Sequence, residues 1–207
     1  AVVEDYWAVS KDGTKIPYQI VRLERTSLES PQPALIYGYG GFNVPLDTKF
    51  LGPIAAFVAA GGIYIHTHLR GGGEFGRDWW QGGRLKNKQN SYDDLYAIAE
   101  DLIAKGYTSS DKLALTGRSC GGLMSGVALT QRPDLWKAVI PQFPRMDLIG
   151  SLNDPYARRS TKHDYGDPDD PDDIQRMATF SPYQLIEDGR EYPATLVIAG
   201  DLDPRCR

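Results

Sequence analysis

Residues 112–123 read Lys112-Leu113-Ala114-Leu115-Thr116-Gly117-Arg118-Ser119-Cys120-Gly121-Gly122-Leu123. An apolar, β-prone run ends at a glycine, and a helix-forming run begins at the serine two residues later. The short run predicts a strand over Leu113–Thr116, and the run that follows predicts a helix from Ser119 to Gln131. The glycine-x-serine-x-glycine between them fits a sharp strand-to-helix turn. Such a turn holds its serine in a strained conformation, and side chains at either glycine would collide with neighbouring backbone. A serine placed there is a nucleophile candidate, because the helix N-terminus beneath it offers free N–H groups and a positive partial charge where an oxyanion would develop.

Working outward, the same alternation of short apolar runs and amphipathic stretches covers most of the chain. Asp5–Ser10 and Ile16–Leu23 are expected as strands joined by the turn Lys11-Asp12-Gly13-Thr14, an aspartate-glycine hairpin signal. Strands are then predicted at Ala34–Tyr37, Ile63–His68, Ala138–Pro141 and Thr195–Ala199, with a helix around Phe50–Ala60. The clearest helix spans Tyr92–Lys105, where Leu95, Ile98, Ala99, Leu102 and Ile103 repeat at helical spacing. Ser91 with Asp94 suggests a capping pair, and Gly106 a stop. Between Asp147 and Asp188 the pattern is irregular, with short helices expected at Asp172–Ala178 and near Ser181–Glu187. The sum is an α/β chain with a doubly wound, mostly parallel sheet and an antiparallel N-terminal hairpin, in one domain over residues 1–207.

Composition bounds the partners. The 207 residues are 41% hydrophobic and 24% charged, which is ordinary for a globular core. The formal charge of −4 gives no general attraction to polyanions, so neither nucleic acid nor an anionic membrane surface is an expected partner. The uncharged stretch Phe50–Leu69 is long enough to raise the question of a membrane helix. Pro53, Gly61, Gly62, His66 and His68 argue instead for a helix, a turn and a buried strand. Residues 1–20 carry mixed charges and no apolar core, unlike a signal peptide. Cys120 and Cys206 are too few for a disulfide framework or a four-thiolate zinc site. A reducing compartment is favoured, the cytoplasm ahead of the periplasm.

A serine nucleophile needs a base and an acid, in the chain order serine, acid, histidine on this kind of fold. Asp203 is the preferred acid and Asp201 the reserve, since both follow the last predicted strand at the sheet's carboxyl edge. His66, His68 and His163 all precede Asp203. The triad histidine is therefore expected to be absent from these residues, with the catalytic domain incomplete at its C-terminus and His163 as a weak substitute. Tyr37-Gly38-Tyr39-Gly40-Gly41-Phe42 follows a strand, where a second oxyanion donor belongs, and the Cys120 N–H is the first. Gly71-Gly72-Gly73-Glu74-Phe75-Gly76 matches a dinucleotide fingerprint by spacing alone. Arg77-Asp78-Trp79-Trp80 follows it in place of an apolar helix, and the acid at the end of a second strand is missing. The aspartates of Asp164–Asp173 are broken by Pro168 and Pro171 and lack the glycine and glutamate of a calcium loop, so a solvated loop is expected.

The segments SKDGTKIPY, YGYGGFN, RGGGEFGRDWWQGG, KNKQNSYDDL, GRSCGGL, QRPDLWKAVI, DYGDP and DLDPR, in order along nearly the whole chain, resemble the prolyl oligopeptidase family of serine peptidases. That resemblance implies an α/β-hydrolase catalytic domain without the family's β-propeller, acting on oligopeptides with no metal or organic cofactor. It implies Ser119 as nucleophile, Asp203 as triad acid, and the Tyr39 hydroxyl with the Cys120 N–H as oxyanion hole. Arg205 matches an arginine that holds a substrate carbonyl, and Phe42 and Tyr165 match residues lining substrate pockets. Two departures stand out. Thr161 occupies the place of the tryptophan that stacks on a substrate proline, and Cys120 replaces an asparagine. The alternatives are an esterase on the same scaffold and a non-catalytic piece of it.

Overall fold

The computed structural model describes residues 1–47, 50–203 and 205–206. β1 (Val2–Val9) and β2 (Lys15–Arg22) form the antiparallel hairpin, in register from Val2↔Arg22 to Val9↔Lys15. Gly13 takes φ +86° at its tip, which explains the glycine there. β2 pairs antiparallel with β4 (Ile63–Thr67). From β4 onward the pairing is parallel, through β3 (Ala34–Tyr37), β5 (Leu113–Arg118), β6 (Ala138–Gln142) and β7 (Ala194–Thr195). The strand order is β1-β2-β4-β3-β5-β6-β7, so β5, the strand that leads into Ser119, sits inside the sheet.

Helices α1 (Ile54–Ala59), α2 (Arg77–Gln81), α3 (Lys88–Ala104), α4 (Cys120–Gln131), α5 (Pro155–Asp164) and α6 (Pro171–Ala178) complete the frame. Among the described residues no helix is long and apolar enough to cross a membrane. α4 is buried along nearly its whole length, between β5 and β6 on one side and the turn at Pro182–Leu185 on the other. That is why its residues show no polar face.

Several local expectations are corrected. α3 begins four residues before Tyr92, at Lys88, so Ser91 and Asp94 lie inside the helix and do not cap it. The buried Ser91 hydroxyl donates to the carbonyls of Arg70 (2.7 Å) and Gly83 (3.0 Å). Asp94, fully buried, accepts from the Arg70 guanidinium (2.6 Å) and the Ser10 hydroxyl (2.6 Å). Tertiary partners that a local pattern cannot reveal decide both positions. The Phe50–Ala60 helix shortens to α1 because Gly52 and Pro53 make a turn first. The last strand shrinks from Thr195–Ala199 to the two residues of β7, with one further bridge between Gln142 and Ile198. The segment near Ser181–Glu187 is a single 3-10 turn. α5 was not expected, because its sequence, Pro155-Tyr-Ala-Arg-Arg-Ser-Thr-Lys-His-Asp164, has no apolar stripe. Its start signal is legible nonetheless: Asp154 caps the Ala157 N–H at 2.8 Å, with Pro155 at the first turn.

Candidate active site

Ser119 stands at the end of β5 with φ +59° and ψ −113°, outside the regions a non-glycine residue prefers, and it is solvent-exposed. Its N–H donates to the Gln142 carbonyl on β6 (2.9 Å), and its carbonyl accepts the Leu123 N–H (3.0 Å). These bonds tie the strained residue to the neighbouring strand and to α4. The flanking glycines are a steric necessity. A Cβ at Gly117 would lie 2.3 Å from the Gly121 carbonyl oxygen, and one at Gly121 would lie 2.1 Å from that of Gly38. At Gly122 it would meet the Gln142 carbonyl at 2.4 Å.

The tyrosine-glycine loop after β3 lies against this turn. The Gly38 N–H continues the β3–β5 ladder to the Thr116 carbonyl (3.0 Å), and Gly40, Phe42 and Asn43 all take positive φ. A buried ion pair fixes the loop. The Lys88 ammonium bonds to Asp164 (2.8 Å) and to the Gly40 carbonyl (2.8 Å), while Asp164 accepts the Phe42 N–H (3.1 Å). Burial opposes the charge on Lys88, but the Asp164 carboxylate outweighs it and the ammonium is held above its usual pKa. Asp164 is thus a buried counter-ion; of the rest of the acidic run, Asp169 and Asp170 are exposed loop, and Asp172 and Asp173 lie in the first turn of α6. The Gly71-Gly72-Gly73 stretch serves packing: a Cβ at Gly71 would lie 2.4 Å from the Gly40 carbonyl.

A cavity of about 220 Å³ opens beside Ser119, and Tyr39, Phe42, Cys120, Tyr165 and Arg205 border it. Six of the seven residues singled out from sequence therefore converge. The seventh, Asp203, borders an adjoining hollow that also reaches Ser119 and Arg205. The Tyr39 hydroxyl, half-buried, has its pKa raised by burial and then by the neighbouring Cys120 thiol, so it stays a protonated donor. Asp203 accepts the Arg205 N–H (2.8 Å) and the Cys206 N–H (3.1 Å), which hold its carboxyl below the usual range. Asp201 is exposed and borders neither hollow. Pro204 of the DLDPR stretch lies outside the described residues.

No histidine borders either hollow. His66 lies on β4 and bonds the Leu46 carbonyl (2.9 Å), and His68 follows that strand 3.9 Å from Glu74. His163 on α5 stacks between the rings of Phe42 and Trp80. Among the residues of the cavity wall that sequence reasoning missed are Arg145 and Cys206. The Cys206 thiol borders the cavity with Ser119, and burial raises its pKa. Nothing in the local pattern marks either residue. Thr161, where a proline-stacking tryptophan was expected, is buried and accepts from Arg145 (3.0 Å).

Residues 49–207 match the prolyl oligopeptidase family. An uncharacterized peptidase of Sinorhizobium fredii, y4nA, is 39% identical over 98% of this chain and 28% of its own length. A prolyl endopeptidase of Elizabethkingia miricola is 38% identical over 99% of this chain and 29% of its own. Among solved structures, one from a mechanistic study of two prolyl endopeptidases superposes with a TM-score of 0.94 at 40% identity, covering 99% of this chain and 30% of that one. Prolyl oligopeptidase B of Galerina marginata gives a TM-score of 0.94 at 33% identity, covering 99% and 28%. These structural relatives have the α/β-hydrolase fold, and this chain spans less than a third of the length of the relatives it matches. The chain belongs to the prolyl oligopeptidase family and carries that family's α/β-hydrolase fold.

Proposed function

We propose that this chain supplies the nucleophile, acid and oxyanion hole of a serine peptidase acting on oligopeptides, and that the general base is a histidine outside residues 1–207. The observation that carries the reading is the strained, exposed Ser119 opening onto a cavity shared with Tyr39 and Cys120. Its Oγ attacks the scissile carbonyl as the histidine takes its proton. The developing oxyanion is met by the Tyr39 hydroxyl and the Cys120 N–H, donors fixed before the reaction begins. Collapse expels the amine, and water hydrolyses the acyl-enzyme by the same route. Asp203 orients the histidine and stabilises its cationic form. Arg205 holds a substrate carbonyl, and Phe42 and Tyr165 flank the substrate.

Support for the assignment of Asp203 comes from the Galerina marginata enzyme. Variants of it have been solved with one serine, one aspartate and one histidine replaced. That serine and aspartate are separated by the same number of residues as Ser119 and Asp203, and that histidine lies farther along. A second reading, that residues 1–207 alone are catalytically inert, is favoured by the absence of any histidine at the two hollows. Comparing hydrolysis of peptide anilides and simple esters by residues 1–207, by the longer polypeptide and by its Ser119→Ala variant separates these readings. Amide cleavage by the longer polypeptide alone, abolished in Ser119→Ala, is the expected result. Ester cleavage without amide cleavage identifies an esterase, and amide cleavage that survives Ser119→Ala overturns the assignment of the nucleophile.

A further inference from the structure

The cavity beside Ser119 carries a feature that the peptidase reading leaves unused. Arg145 lines it and is only 6% exposed, yet it forms no ion pair among the described residues. Its guanidinium donates to neutral acceptors only: the Ala157 carbonyl (3.0 Å), the Ser160 hydroxyl (2.9 Å) and the Thr161 hydroxyl (3.0 Å). It also faces the Tyr165 ring at 5.5 Å. Among the described residues the cavity wall includes a second guanidinium, Arg205, and no aspartate or glutamate.

The nearby carboxylates are occupied elsewhere. Asp164 is paired with Lys88, and Asp203 is turned to the N–H groups of Arg205 and Cys206 in the adjoining hollow. Asp147 and Asp154 do not line this cavity; they border a neighbouring hollow that Arg145 and Arg205 also line. Asp147 bonds Gly150 and Gln184 there, and Asp154 caps Ala157. A desolvated guanidinium without a counter-ion is costly, and a carboxylate entering the cavity offsets that cost with charge-assisted bonds. A second arginine-sized cation entering the same space would meet like charge. A proline would gain neither an indole to stack on nor a use for the buried charge, since Thr161 is spent on holding Arg145 in place.

We infer that Arg145 makes this cavity a pocket for an acidic side chain, so that the peptide bond attacked by Ser119 follows a glutamate or aspartate. The inference rests on the serine-peptidase reading above. Its test uses the longer polypeptide that supplies the histidine, with a series of C-terminally blocked peptides identical except for Glu, Asp, Gln, Ala, Pro or Arg before the scissile bond. Glutamate is expected to exceed its neutral isostere glutamine in kcat/KM by about 10- to 100-fold, the range for one buried charge-assisted contact. That ratio should collapse toward one in Arg145→Met and be partly restored in Arg145→Lys, which keeps the charge without the planar fork.

A preference for proline or arginine, or a glutamate-to-glutamine ratio near one in the unaltered protein, overturns the inference whatever the variants do. So does a preference that follows a free carboxylate at the peptide's C-terminus in place of the residue before the bond. Fluorophosphonate labelling of the unaltered protein separates the two failures. Labelling at Ser119 without an acidic preference sinks the pocket assignment alone, and no labelling sinks the nucleophile with it.

Discussion

The turn that carries Ser119 and the turn that carries Asp203 are built in opposite ways. The first is sealed: Gly117, Cys120, Gly121 and Gly122 are buried, and three backbone carbonyls occupy the space a Cβ would need. The second is open. β7 has two exposed residues, and Leu196, Val197, Ile198 and Leu202 are 59%, 50%, 39% and 88% exposed. Asp203 keeps its geometry through local bonds to two backbone N–H groups. Ser119, the proposed nucleophile, is thus held by core packing within residues 1–207, while the support of Asp203, the proposed acid, is apolar surface facing solvent.

The largest effect that sharpens this contrast is steric. Gly117→Ala and Gly121→Ala each force a Cβ onto backbone that cannot retreat, and should cost about 3 kcal/mol or more. Gly200→Ala, whose added Cβ would find nothing nearer than 3.6 Å, should stay within about 1 kcal/mol. Urea unfolding of the three variants checks this, and equal losses would break the contrast.

The buried pair that fixes the tyrosine-glycine loop after β3 comes next. Lys88→Met or Asp164→Asn leaves one charge buried without its partner and should cost about 3–5 kcal/mol. Lys88→Met combined with Asp164→Leu should recover much of that loss in the same unfolding assay, because the desolvation of both charges is then removed.

At the open end, Leu196→Lys and Val197→Lys should change unfolding free energy by no more than about 0.5 kcal/mol. They should still reduce self-association of residues 1–207 in sedimentation velocity, because the exposed apolar edge is a pairing surface. Smallest of all is a pH effect. The backbone N–H groups of Arg205 and Cys206 hold the Asp203 pKa below the ordinary aspartate value, so whatever its ionised form contributes is complete above that ordinary value and lost only as pH falls through the lower folded one. Between neutral pH and about pH 5, Asp203→Asn should shift the unfolding midpoint by a constant amount. A difference that grows across that window would mean a raised pKa instead.

Much of this architecture is legible in the chain because local pattern and tertiary need agree there. The β-prone run ending at Thr116, the glycines around Ser119 and the aspartate-glycine turn each have a local physical cause. The parts that escape are those decided by distant partners. Ser91 and Asp94 resemble a cap until Arg70 claims them, nothing local to Lys88 announces the Asp164 that pairs with it, and Arg145 falls between the strand predicted to end at Pro141 and the irregular stretch that begins at Asp147. The apolar residues at 195–199 resemble a buried strand, but they are exposed and only Ala194–Thr195 pairs as one.

The central claim is that Ser119 is a nucleophile whose base lies outside these residues. Intact mass after exposure to a fluorophosphonate, for residues 1–207 and for the longer polypeptide, each beside its Ser119→Ala variant, tests it most directly. The account predicts one adduct on the longer polypeptide, lost in Ser119→Ala, and labelling of residues 1–207 slower by several orders of magnitude. Equally fast, Ser119-dependent labelling of both would contradict it, because a working base would then already be present among His66, His68 and His163.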